Sequence, residues 1–117
     1  MPPAVDLARL TEFSDGTPEG LRTLIEIFLS DTAETMAALV RAMGERSPAD
    51  IELLAHRCGG ASAACGASSL AGVLFQIESF GREDRVDAAC ALLPRVQAEM
   101  IEVRVFLARA IERQPEP

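Results

Sequence analysis

Residues Ala55–Ala67 read A-H-R-C-G-G-A-S-A-A-C-G-A. The stretch holds the chain's one histidine, His56, with Gly59 and Gly60 three and four residues on. Apolar residues at Ile51, Leu54, Cys58, Ala61 and Cys65 keep helical spacing through it. Glycine in a helix interior costs roughly 1 kcal/mol relative to alanine. Two in a row beside a lone histidine imply that something large must come close to the ring.

At roughly 100° per residue, the apolar stripe lies about 140–180° away from His56, so the imidazole is expected to face water. Glu52, Gly59, Gly60, Ala63 and Ala67 fall within about 60° of it. A solvent face is normally charged, whereas this one is nearly bare. A partner could dock flat against such a face and reach the ring. A close helix–helix contact is the competing reading, but it would need a fifth helix or a second subunit.

Outward from this stretch every segment reads as helix. Asp6 caps a short helix to Phe13, and Gly16 and Pro18 break it. Thr17 then caps a helix with Pro18 in its first turn. Its apolar series runs from Leu21 to Met43 over about seven turns, with Gly44 as its stop. Ser47-Pro48 opens the histidine helix, which is expected to run to about Ala67. Ser68 and Ser69 offer a cap for a fourth helix, with Leu70, Val73, Leu74, Ile77 and Phe80 inward and Gly81 at its end. Asp84 begins the last, which Pro94 should bend or break near Leu92 and Leu93. The prolines at both ends suggest frayed tails. The expected architecture is all-α: one domain over residues 1–117, an up-down-up-down four-helix bundle with a short additional N-terminal helix.

Composition narrows the function. The formal charge of −7, with arginine as the only basic residue besides the histidine, argues against nucleic acid. No apolar run approaches the roughly 20 residues of a membrane span, and the first residues lack a signal-peptide pattern. A cytoplasmic monomer is the expectation. Cys58, Cys65 and Cys90 form no C-x-x-C and read as small buried hydrophobes. No metal site is expected, since only Glu52 stands at ligand spacing from His56.

The stretch resembles the signature of histidine-containing phosphotransfer (HPt) domains of two-component phosphorelays, roughly A-H-x-L-K-G-S-(S/A)-x-x-x-G-A. Two flanking segments are similar as well: Leu24–Asp31, L-I-E-I-F-L-S-D, and Leu70–Glu78, L-A-G-V-L-F-Q-I-E. The resemblance covers about residues 6–112. It implies that His56 is the phosphoacceptor, whose Nε2 takes a phosphoryl group from a receiver-domain aspartate and returns it to another receiver. It implies partners in a response-regulator receiver and a sensor or hybrid histidine kinase. It also implies a carrier without a cofactor of its own, the Mg²⁺ belonging to the receiver. Glu52, Arg57, Gly59, Gly60, Ala63, Ala67 and Gln76 are the expected docking residues. Glu78 matches a family glutamate and reads as structural, and Phe75 reads as a rim contact or a cover for the bundle edge.

Two departures stand out. Gly59 occupies the position of the family's usual lysine, and Ala61 that of its serine. Cationic support for a phosphohistidine would therefore be thin. This leaves open a binding module that occupies a receiver or kinase without being phosphorylated, and a plain structural bundle that dimerises through the Gly/Ala face.

Overall fold

The computed structural model describes residues 3–113, and every element in that range is a helix. In chain order they are α1 (Leu7–Glu12), α2 (Pro18–Gly44), α3 (Pro48–Ala64), α4 (Ser68–Arg82), α5 (Val86–Ala91) and α6 (Leu93–Glu112). The expected tails fall largely outside the described residues.

Local chemistry sets the starts. The Asp6 carboxylate accepts from the Arg9 N–H, and the Thr17 hydroxyl accepts from the Gly20 N–H. Proline stands in the first turn of α2, α3 and α6. Pro94 divides α5 from α6 at Leu92, as its position predicts.

One of the two expected stops differs. Gly44 is the last residue of α2, as expected, whereas Gly81 lies inside α4. The left-handed residues that end α2 and α4 are Arg46 (φ 55°) and Asp84 (φ 58°). Gly81 is buried for another reason. A Cβ there would stand 2.9 Å from the Glu52 N and 3.0 Å from the Pro48 O, so its hydrogen lets α4 lie directly on the backbone of α3. The histidine helix also ends early. Gly66 takes φ +81°, and its carbonyl accepts from the Asp6 N–H at 2.9 Å, which ties the α3–α4 turn to the N-terminal segment.

α2, α3, α4 and α6 form the four-helix bundle. α3 packs between α2 and α4 on one side, and α6 packs between the same two helices on the other. Leu10, Ile25, Leu39, Ile51, Leu70, Leu74, Ile77, Met100 and Leu107 fill the interior. Among the described residues, Thr32 and Ser62 are the buried polar ones, and each hydroxyl donates to a carbonyl one turn back, Phe28 and Cys58. No described helix is long and apolar enough to cross a membrane.

Candidate functional site around His56

His56 stands on the outer face of α3 beside α4, with its side chain 66% exposed. Its Nδ1 lies 3.1 Å from Glu78 Oε2 on α4. Glu78 is far less exposed than the imidazole, and the same Oε2 accepts from Arg82 Nη2 at 2.7 Å. Arg82 Nε donates in turn to Glu52 Oε2 at 3.0 Å. Glu52 first, then Glu78, hold the Arg82 guanidinium above its ordinary pKa through hydrogen bonds and charge. Two carboxylates, one guanidinium and the imidazole thus form a chain across the α3–α4 groove.

The chain has a chemical consequence. A carboxylate can only accept, so the neutral ring donates from Nδ1 and leaves the Nε2 lone pair free. The hydrogen bond from Arg82 fixes the direction of the Glu78 carboxylate. Gly81, three residues beyond Glu78, brings α4 against the α3 backbone beside this bond.

The docking face expected from the sequence needs correction at two residues. Gly59 is buried: a Cβ on it would meet the Phe75 ring, with Cε1 at 2.7 Å and Cδ1 at 2.9 Å. The small residue here serves a helix–helix contact within the bundle, and α4 supplies the neighbour that the sequence reading assigned to a fifth helix. Ala67 is fully buried at the start of α4, because α3 has ended and Gly66 has turned the chain inward. The buried stripe of α3 is Ile51, Ala55, Cys58, Gly59 and Ser62. Ala61, expected inside, is exposed, and Leu54 and Cys65 are half-buried. The inward face is thus rotated about 60° from expectation.

Of the other expected docking residues, Arg57, Gly60 and Gln76 are exposed. Ala63 is half-buried, and its carbonyl accepts from Arg9 Nε on α1 at 3.2 Å. Glu52 is engaged by Arg82. Two residues were missed. Leu53 is exposed on the histidine side of α3, where its position about 60° from His56 already put it. Glu78 was read as structural, although Glu78 and Arg82 at i,i+4 already marked a paired carboxylate. The three cysteines are free, and only Cys58 is fully buried.

No match was found among curated proteins. Among solved structures, the crystal structure of histidine-containing phosphotransfer protein B from Pseudomonas aeruginosa PAO1 superposes with a TM-score of 0.89. It is 23% identical in sequence, and the match covers 98% of this chain and all of that one, so it bears on the fold. The family model of the Hpt domain matches residues 23–106, from early α2 through most of α6. That span includes the histidine helix, its glycine pair and the α4 glutamate that holds the ring. The chain belongs to the Hpt domain family, the histidine phosphotransfer proteins of phosphorelays.

Proposed function

We propose that this chain is a phosphorelay intermediate that accepts a phosphoryl group on His56 Nε2 from a receiver-domain aspartate, or from a hybrid kinase that carries one, and passes it to a response-regulator receiver. The carrying observation is the Nδ1–Glu78 contact on an imidazole that is otherwise open to solvent. In the forward step the Nε2 lone pair forms the N–P bond while the P–O bond to the aspartate breaks and the carboxylate leaves. The ring becomes cationic as the bond forms, and Glu78 opposite Nδ1–H stabilises that charge. Mg²⁺ on the receiver would neutralise the moving phosphoryl. The bundle holds the ring in place and leaves room around Nε2. Leu53, Arg57 and Gly60 are exposed on α3 near His56 and would meet the receiver.

Gly59, filled by Phe75 instead of carrying a cation, favours a second reading. In it the chain occupies a receiver or kinase without taking phosphate. Transfer from labelled phospho-receivers to wild type and His56→Gln separates the two. Acid-labile, alkali-stable label on wild type alone is expected. Receiver binding by both proteins with no label on either would establish the second reading.

A further inference from the structure

The side of the bundle opposite His56 carries an apolar trough that the phosphotransfer site does not use. It lies along α6, with α2 walling the end from Gln97 to Arg104 and Ala4 beside the other. Ile101 (58% exposed), Val105 (44%) and Val40 (39%) line it. Two adjoining depressions share Ile101: one includes Met36 and Met100, the other Phe106 and Ala4. From Gln97 to Arg113 the trough runs about 24 Å, the length of a four-turn helix. Ile101 and Val105, spaced i,i+4, form a ridge that an apolar helix face can straddle.

The charge around it is opposite to that of the chain. In a protein of net charge −7, the described residues lining it include Arg104, Arg109 and Arg113 against one carboxylate, Glu102. Among the described residues, neither Arg104 nor Arg109 forms an ion pair. A second copy docked isologously would set this basic rim against itself, at a cost in like-charge repulsion. An acidic amphipathic helix would pair with it.

We propose that the α2–α6 trough is a second docking surface, taking an acidic amphipathic helix of a partner protein. α6 and α3 lie on opposite sides of α2 and α4, so the trough can stay occupied while His56 meets a receiver. It would tether the carrier without blocking transfer.

The probe is a synthetic helical peptide about four turns long, with leucine at i, i+4, i+7 and i+11 and glutamate along both flanks. Its counterpart carries lysine in place of every glutamate. Each is titrated into the ¹⁵N-labelled full chain. The acidic peptide should shift the amides of Val40, Ile101 and Val105, and the basic one should not. Ile101→Glu should weaken binding by about tenfold or more, and His56→Gln should leave it unchanged. Should Ile101→Glu fail to fold by circular dichroism, the Arg104→Glu/Arg109→Glu pair makes the same test from the rim. Equal binding of both peptides, binding of neither, or shifts gathered around His56 would overturn the proposal. So would a wild-type dimer in sedimentation that Ile101→Glu dissociates, which would assign the trough to a second copy.

Discussion

The Phe75 ring stands where a side chain on Gly59 would go, its Cε1 only 2.7 Å from the position of a Cβ. Glycine at 59 and phenylalanine at 75 are therefore one packing unit. Gly59→Lys, which restores the family's usual residue, must displace a ring that is 38% exposed. Alone it should destabilise by about 1–3 kcal/mol. Combined with Phe75→Ala, it should cost less than the two single changes together. Urea unfolding of the four-member cycle measures the coupling, and additive costs would refute the unit. Any effect of the lysine on phosphohistidine lifetime is best read in the double variant, where the bundle accommodates it.

The Glu78 carboxylate sits opposite Nδ1, so its removal should change which ring nitrogen carries the proton. In Glu78→Ala the neutral ring is free to protonate at Nε2, the nitrogen that would attack in the proposed transfer. Long-range ¹H–¹⁵N spectra should show Nδ1–H dominant in wild type and a mixture in the variant. Phosphorylation should slow by about tenfold or more, by analogy with other hydrogen-bonded partners that orient a reacting histidine. An unchanged tautomer would remove Glu78 from the orienting role. Arg82→Gln tests the next link and should produce a smaller change in the same direction, because Glu52 and Glu78 then lose their shared cation.

Much of this arrangement was legible in the sequence where local chemistry decides the outcome. Asp6, Thr17, Pro18 and Pro48 mark helix starts through caps and fixed φ angles and Pro94 marks a break, and each does so here. The phase of α3 was not legible. Its faces are built from Gly, Ala, Ser and Cys, which differ little in hydrophobicity, so periodicity could not fix which way the helix is turned. Gly59 and Ala61 consequently exchanged places between the expected and observed faces. Gly81 shows a second limit. A glycine at a helix end resembles a stop, and only the neighbouring helix reveals that it permits close approach. The Glu78–His56 contact spans 22 residues, a pairing that spacing along one helix does not disclose.

Burial pushes the Cys58 and Cys65 thiols up to about 11 from 9.0. Between pH 9 and 11 the unfolded chain has lost these protons while the folded chain keeps them. Stability should be intact below pH 9 and fall as pH rises through this window, by at most about 1.4 kcal/mol per pH unit for each thiol. Cys65→Ala should flatten the decline in urea midpoints over that range, and an unaltered slope would contradict it. Both thiols should also resist iodoacetamide at neutral pH in the native state and react on unfolding.

Gly60 and Gly81 should respond oppositely to alanine. Both are helical, so intrinsic propensity favours the substitution by up to about 1 kcal/mol at each. At Gly60 a Cβ meets nothing within 4 Å, and Gly60→Ala should raise the urea midpoint. At Gly81 the Cβ would meet main-chain atoms of Glu52 and Pro48, which cannot rotate away, so α4 must lift from α3. Gly81→Ala should lower stability by about 1–3 kcal/mol despite its better propensity. Function should split the pair again. Lifting α4 withdraws Glu78 from His56, so Gly81→Ala should weaken the Nδ1–H signature and slow phosphorylation together. Gly60→Ala should keep that signature, because the α3–α4 spacing is untouched. Its added methyl stands on the exposed face beside the ring, so transfer should slow through weaker receiver docking, read as a raised KM with kcat little changed. A Gly81→Ala protein that is as stable as wild type, with an unaltered tautomer, would show that the close approach of the two helices does not govern the histidine.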